Sequence, residues 1–257
     1  MYDLPSYIWI LVGIGVIGIP ASTSFLLYRG ALAAGSSRRS ATWLAAIAAY
    51  SLAAWLVVSG VLAGAGIYRA DSGGSTAWFG LAFVAALGGT LLATTIPIVH
   101  RSLAAPGMLP LLTLPHTLRV VGVAFVIVMA LGDLPWIFAL PAGLGDIAIG
   151  LSAPFVARAL DRDEALERAV RFNVLGIVDL VVALTIGFLA GLGPVGLYVT
   201  PTTEPLALLP LALVPTVAVP TALTLHVVSL ARLREALRDK RMVQRILAER
   251  SSIGVTS

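Results

Sequence analysis

The sequence has 257 residues, of which 58% are hydrophobic and only 12% charged, and its mean hydropathy is +0.96. Soluble domains contain about 25% charged residues, so this chain has more apolar surface than a soluble core of its length would bury. It has no cysteine, which excludes disulfides, thiolate metal sites and cysteine nucleophiles. The formal charge of +4 comes from arginines in loops and tail and does not indicate nucleic-acid binding.

Seven apolar segments are long enough to cross a hydrocarbon layer of about 30 Å, for which a helix needs about 20 residues. In chain order they are Tyr7–Tyr28, Ala41–Ile67, Ala77–Val99, Leu109–Leu134, Ile137–Val156, Phe172–Leu192 and Leu206–Leu230. Helices four and five are separated only by a tight turn at Gly132, Asp133 and Pro135. The pattern predicts an all-α, polytopic membrane protein with seven transmembrane helices in residues 1–230.

The basic residues lie almost entirely on one side of this pattern. Sixteen of the seventeen are in the first, third and fifth loops, in helix four or in the tail, whereas Arg69 is alone on the opposite side. The positive-inside rule therefore predicts an outside N-terminus and a cytoplasmic C-terminus. We expect a multi-pass protein of the plasma (cytoplasmic) membrane, which is the inner membrane of a cell that has two, with the lipid bilayer as its first partner.

The remaining residues, 231–257, form a basic tail. Its apolar residues follow helical spacing with arginines between them, namely Leu230, Leu233, Leu237, Ile246 and Leu247. This pattern predicts an amphipathic cytoplasmic helix suited to anionic lipid, to a cytoplasmic partner or to a second copy of the chain. A solvated extension of helix seven fits the same pattern.

Helix seven is rich in proline. Pro210, Pro215 and Pro220 recur every five residues after Pro205. Because each interior proline removes a backbone hydrogen bond and crowds the preceding turn, we expect a kinked or partly unwound helix with a hinge at these three positions. Broken helices often mark the binding sites of transporters. The alternative is a static kink that only shapes packing.

Ionisable and amide side chains occur inside the predicted helices, where a charge costs about 2.5–3.5 kcal/mol. They are His116 and Arg119 in helix four, Asp146 in helix five, Asn173 and Asp179 in helix six, and His226 in helix seven. At about 1.5 Å of rise per residue, their depths fall between the midplane and the cytoplasmic interface. The sequence therefore predicts one polar cluster that faces the interior of the bundle.

Arg119 is the natural counter-ion for Asp146 or Asp179, because a guanidinium binds a carboxylate through two parallel hydrogen bonds. One arginine does not neutralise two carboxylates. A proton on one aspartate, a cation or a histidine must complete the charge balance. An ion pair that only holds helices together is the alternative interpretation.

Sequence motifs of known chemistry are missing. Lys240, the only lysine, lies in the tail, which excludes a retinal Schiff base inside the bundle. There is no His-Glu-x-x-His zinc motif, Gly-x-Ser-x-Gly elbow or phosphate-binding loop. We therefore do not expect an enzyme, although two aspartates and a histidine suffice for acid–base catalysis on a lipid.

Three groups of residues carry a resemblance to a known family. They are Leu134-Pro135 with Ala139 to Gly143 and Gly145-Asp146; Phe172-Asn173 with Gly176 and Asp179-Leu180; and Pro215, Pro220 and His226. Together they resemble a family of uncharacterised bacterial seven-helix integral membrane proteins. The similarity covers helices four to seven, and it implies a multi-pass membrane fold without an assigned activity.

These observations favour a proton-coupled transporter of a small molecule or ion. Asp146 and Asp179 would carry the proton or cation, Arg119 would bind an anionic group or lock the resting state, and helix seven would move. One alternative is an intramembrane redox protein in which His116 and His226 bind haem or a metal. Another is a membrane scaffold or sensor that docks a partner through its basic tail. The sequence indicates neither the substrate nor the coupling ion.

Overall fold

The computed structural model describes residues 4–69, 76–160, 166–192 and 200–254. These residues form helices and their connections, with no β-strand among them. The last three residues of the predicted tail, 255–257, lie outside the described part of the chain. The α-helices, in order, are α1 (Ser6–Ala33), α2 (Arg38–Gly64), α3 (Thr76–Ala93), α4 (Pro97–Leu103), α5 (Met108–Thr113), α6 (Val123–Ala130), α7 (Trp136–Leu160), α8 (Leu166–Gly187) and α9 (Val219–Gly254).

Seven stretches of the described residues are long and apolar enough to cross a membrane, as predicted. We number them spans 1 to 7: Ser6–Ala33, Arg38–Gly64, Thr76–Ala93, Met108–Ala130, Trp136–Leu160, Leu166–Gly191 and Val214–Met242. Large apolar side chains cover the outside of the bundle, including those of Ile10, Val61 and Phe155, which are 63%, 64% and 68% exposed. Apolar patches of this extent are uncommon on soluble proteins, and they fit a chain surrounded by lipid.

The third predicted helix, Ala77–Val99, is shorter than expected. Span 3 ends at Ala93, and α4 starts again at Pro97 after a turn. Proline is favoured in the first turn of a helix, because the N–H it lacks would have no partner there. The chain therefore ends one helix and begins another where the sequence predicted a single one.

Span 4 is not one continuous α-helix, which corrects the prediction for Leu109–Leu134. A 3₁₀-helix, Leu114–Gly122, separates α5 from α6. Pro115 has no N–H for the carbonyl one turn earlier, and 3₁₀ segments are common where the regular pattern is interrupted. With three residues per turn, this segment places His116 and Arg119 on one face.

The seventh predicted helix begins later than Leu206. Glu204–Ala207 is a short 3₁₀ turn, residues 208–213 form further turns, and a π-helical turn, Val214–Ala218, leads into α9. This irregular start follows from prolines 205, 210, 215 and 220. At its other end α9 continues without a break to Gly254, so the described part of the tail is an extension of span 7.

The interior of the bundle is built around α7, which packs against α5, the 3₁₀-helix, α6 and α8. Helix α1 packs against α2, α4 and the 3₁₀-helix, and α9 packs against α3, α5 and α8. Span 7 is the most buried of the seven, whereas span 2 is mostly on the outside. The polar residues of spans 4 to 7 are consequently held inside the protein.

The basic residues gather at one end of the bundle. Arg29 and Arg158 line one cleft there, and Arg168 and Lys240 line another. Arg232 from α9 also lies against His100 from α4, with Nη2 3.0 Å from Nε2. This basic end is where span 1 ends and span 2 begins.

Candidate functional site

Arg119 joins three of the predicted site residues through its guanidinium. Its Nε donates a hydrogen bond to Asp146 Oδ1 at 2.7 Å, and its Nη2 donates to Asp179 Oδ2. Its Nη1 lies 3.1 Å from His226 Nε2. The side chain is only 3% exposed, so these contacts from spans 5, 6 and 7 replace the water that the charge would otherwise hold.

The hydrogen bonds of His226 define its proton arrangement. A guanidinium has only donors, so His226 Nε2 must accept from Arg119. The other ring nitrogen, Nδ1, is 2.9 Å from Asn173 Oδ1 and donates to that carbonyl oxygen. His226 is therefore a neutral imidazole with its proton on Nδ1 in this arrangement.

Asn173 continues this network toward the basic end. Its Nδ2 donates to Ala169 O at 2.8 Å and to Ser229 Oγ at 3.1 Å. Asn173, Ser229 and His226 are completely buried. A hydrogen-bonded chain thus runs from Arg119 through span 7 and span 6, and every polar atom of the Asn173 side chain has a partner.

His116 belongs to the same cluster through ring stacking rather than hydrogen bonds. Its ring lies parallel to that of His226, with centroids 3.7 Å apart and planes at 13°. Phe172 meets the His116 ring edge-on at 5.7 Å. Neither ring nitrogen of His116 has a hydrogen-bond partner among the described residues, although the side chain is 1% exposed. A buried imidazole without partners is costly, and such groups are rare.

Three glycines make room for the cluster, one each from spans 4, 5 and 6. A Cβ at Gly122 would overlap Asp146, one at Gly145 would overlap the Asp179 carboxylate, and one at Gly176 would overlap the His226 ring. The helices can approach closely only because these positions lack side chains. The sequence reasoning did not assign these glycines a role in the site. Their signal was that Gly145 and Gly176 are in the residue groups that carry the family resemblance, close to Asp146 and Asn173.

A small pocket of about 50 Å³ adjoins the two carboxylates on the side away from the basic end. Its walls are apolar and include four phenylalanines. The full lining is Phe79, Phe125, Phe138, Ala142, Asp146, Asp179, Leu180, Ala183, Leu184, Gly187, Phe188, Leu206, Val214, Pro215 and Val219. The side chains of Asp146 and Asp179 are 14% and 15% exposed. The carboxylates therefore lie between this pocket and the buried arginine.

The proline-rich start of span 7 lies beside the pocket and is held by span 2. In a regular helix the N–H of residue 220 would bond the carbonyl of Thr216, but Pro220 has no N–H. Trp55 Nε1 donates to that carbonyl instead, at 2.8 Å. Ser59 Oγ also lies 2.6 Å from Thr216 Oγ1 and 3.2 Å from the hydroxyl of Tyr68. The sequence reasoning predicted the break but not these partners.

The arrangement of the histidines does not fit the haem alternative. The faces of His116 and His226 are in contact, which leaves no space for a macrocycle between the two rings. His226 Nε2 is engaged by Arg119 and Nδ1 by Asn173. Over the described ranges, no group of three or more His, Asp or Glu side chains has the geometry of a metal site.

The structure thus brings all six predicted site residues together. Hydrogen bonds connect five of them, Arg119, Asp146, Asp179, His226 and Asn173, and stacking connects His116. Pro215 lines the pocket, whereas the hinge role of this proline and of Pro210 and Pro220 stays a prediction. The sequence reasoning gave no site role to Ser229 or Phe172. Phe172 is in a group that carries the family resemblance, whereas an isolated serine in an apolar helix has no distinguishing pattern.

Comparison with known proteins places the chain in an uncharacterised family. No curated protein and no solved structure matches the chain significantly. A family model described as a domain of unknown function, DUF8737, matches residues 76–234. The match covers more than half of the chain and includes every residue of the cluster, in agreement with the resemblance seen in the sequence. The chain therefore belongs to the DUF8737 family.

Proposed function

We propose that the protein is a proton-coupled transporter of a small molecule, inserted in the cytoplasmic membrane of a bacterial cell with its basic end toward the cytoplasm. One observation carries this proposal. Asp146 and Asp179 line the pocket and at the same time bind the buried Arg119. A ligand in the pocket and the guanidinium therefore compete for the same two carboxylates.

This competition provides a way to couple a ligand to a proton. Each carboxylate is held by the guanidinium more strongly when it is ionised than when it is protonated, since charge-assisted hydrogen bonds are the stronger ones. A proton that binds Asp179 weakens its bond to Arg119 and also changes the charge presented to the pocket. Ligand binding and proton binding then influence each other, as coupled transport requires.

The start of span 7 supplies a candidate moving element. Val214, Pro215 and Val219 line the pocket, and the π-helical turn Val214–Ala218 is held to span 2 by side-chain hydrogen bonds instead of a complete backbone ladder. Broken helices beside a midplane site are common in transporters. On the other side of the cluster, His226 and Asn173 extend toward the basic end and provide polar groups along that direction.

Because the substrate is unidentified, the test must not assume one. Purified protein is reconstituted in liposomes that contain the small molecules of a bacterial cell extract, and a pH gradient is imposed. Mass spectrometry then quantifies every compound that crosses the membrane faster than in protein-free liposomes. We expect at least one compound to move in the wild-type liposomes, at a rate that depends on the gradient.

Two variants are compared with the wild type in the liposome experiment. Asp179→Asn removes one carboxylate of the site, and we expect it to abolish the dependence on the pH gradient. Asp239→Asn removes an exposed carboxylate of α9 far from the pocket, and we expect it to behave as wild type. Equal gradient-driven movement in Asp179→Asn, or no moved compound at all, would leave Arg119 and its carboxylates as an ion pair that only joins helices.

A further inference from the structure

We infer that the pocket takes a small organic cation, an ammonium-type group that carries apolar substituents. The inference rests on the proposed function in one respect, since it names the substrate class of that same site. Its basis is the distribution of charge and of hydrogen-bond donors around the pocket.

The charges of the site are unequal. Two carboxylates, Asp146 and Asp179, face one guanidinium, and His226 is neutral because it accepts a hydrogen bond from Arg119. The exposed parts of both carboxylates line the pocket, whereas Arg119 is behind them and does not line it. The pocket therefore presents negative charge, and a cation completes the balance that one arginine leaves incomplete.

The walls of the pocket exclude other ligand classes. None of its fifteen described lining residues carries a side-chain hydrogen-bond donor while Asp146 and Asp179 are ionised. An anion would meet carboxylates without a donor to hold it, and a sugar would leave most of its hydroxyl groups without partners, which costs free energy in an apolar site. A ligand with one positive group and few other polar atoms avoids both penalties.

The aromatic rings and the size of the pocket agree with this class. Phe79, Phe125, Phe138 and Phe188 surround the space, and the faces of aromatic rings attract cations within about 6 Å. The pocket has about 50 Å³, which is below the roughly 300–1,000 Å³ of pockets for drug-sized molecules, so its volume favours a small cation. Because the walls are apolar, the groups that surround the positive charge should be apolar too, as the methyl groups of a quaternary ammonium ion are.

Equilibrium binding to the purified protein in detergent tests the inference without requiring transport. The probes are tetramethylammonium, its larger analogue benzyltrimethylammonium, and the anion methanesulfonate, measured by titration calorimetry. We expect saturable binding of at least one ammonium probe, at least tenfold tighter than that of the anion. We also expect Asp146→Asn and Asp179→Asn each to weaken ammonium binding at least tenfold, and Asp239→Asn to leave it unchanged.

Each outcome has a defined consequence. The inference is overturned if neither ammonium probe binds, if the anion binds as tightly, or if folded Asp146→Asn and Asp179→Asn proteins keep full affinity. The comparison of the ammonium probes with the anion on the wild-type protein tests the inference even if both variants fail to fold. Cation binding without transport contradicts the proposed function alone, whereas gradient-driven transport of a different class without cation binding contradicts this inference alone.

Discussion

Arg119 has five N–H donors in one rigid plane, and its partners are arranged around that plane. Asp146, Asp179 and His226 each contact a different nitrogen of the guanidinium. A lysine has one compact ammonium group and would not reach the same three partners in fixed directions. The geometry explains how a charge that is 3% exposed can exist inside an apolar bundle.

The two stacked histidines should respond to the same substitution in opposite ways. His116→Leu replaces a ring whose nitrogens have no partner by an apolar side chain of similar size, so we expect the thermal stability to stay equal or rise. His226→Leu leaves Arg119 Nη1 and Asn173 Oδ1 without partners, and we expect a loss of about 1–3 kcal/mol for each unpaired group. Thermal unfolding of the purified proteins in detergent measures both effects.

Each of these histidine variants serves as the control for the other, since the change in volume and hydrophobicity is identical. An equal loss of stability in both would mean that ring stacking, rather than hydrogen bonding, holds His226 in place. A loss in His116→Leu alone would show that the His116 nitrogens have hydrogen-bond partners in the folded protein.

At the scale of elements, span 7 combines a broken beginning with an unbroken continuation. The break depends on prolines, and span 2 stabilises it, since Trp55 donates to the Thr216 carbonyl, whose regular α-helical donor is missing at Pro220. The two spans therefore act as one unit beside the pocket. A movement of the start of span 7 requires the Trp55 and Ser59 contacts to change.

A double-mutant cycle tests this link between Trp55 and Pro220. Trp55→Phe keeps an aromatic ring but removes the N–H, and we expect a loss of about 1–3 kcal/mol, because the Thr216 carbonyl loses its partner. In a Pro220→Ala background the alanine N–H supplies that partner, so the same Trp55→Phe change should cost much less. Thermal unfolding of the wild type, the two single variants and the double variant gives the coupling free energy between Trp55 and Pro220.

Trp43→Phe is the matched control, because Trp43 is on the same helix but 61% exposed, and we expect it to leave stability almost unchanged. If Trp55→Phe costs the same with and without Pro220, the indole N–H does not replace the missing backbone donor. The break in span 7 would then be stabilised by packing alone.

For the whole molecule, the two ends of the bundle differ in charge. Arg29 and Arg158 lie at one end, and at the other Arg69 pairs with Glu204, with Nη2 3.3 Å from Oε1. The pocket is nearer the end with Arg69 and Glu204. The Arg119 cluster lies between the pocket and the basic end. In the proposed orientation the pocket faces the outside, and the histidines are on the cytoplasmic side of the carboxylates.

The absence of cysteine makes this orientation simple to test. Single-cysteine variants are made at Ala34, between spans 1 and 2, and at Thr200, between spans 6 and 7; both positions are exposed. We expect a membrane-impermeant maleimide to label Thr200→Cys in intact cells and Ala34→Cys only after lysis, because the basic loops face the cytoplasm. The cysteine-free wild-type chain is the control for background labelling. The reverse pattern would contradict the orientation, and labelling of both in intact cells would contradict the arrangement of spans.

Much of this protein follows from local properties of its sequence. Seven apolar runs specify seven spans because a helix satisfies its own backbone in lipid, and the prolines of residues 205–220 specify a break. The membership of Arg119, Asp146 and Asp179 in one cluster also follows, since charges at such depth avoid lipid and seek one another.

The details of the site depend on contacts between residues far apart in the chain. The stacking of His116 on His226, the indole donor of Trp55 and the space provided by Gly122, Gly145 and Gly176 all require a defined packing of helices, and no local pattern encodes which side chains will meet. The pocket itself arises from the same packing, because a cavity is the space that several spans leave between them. Hydropathy and charge thus give the spans and their polar residues, whereas the distances between helices determine what those residues can bind.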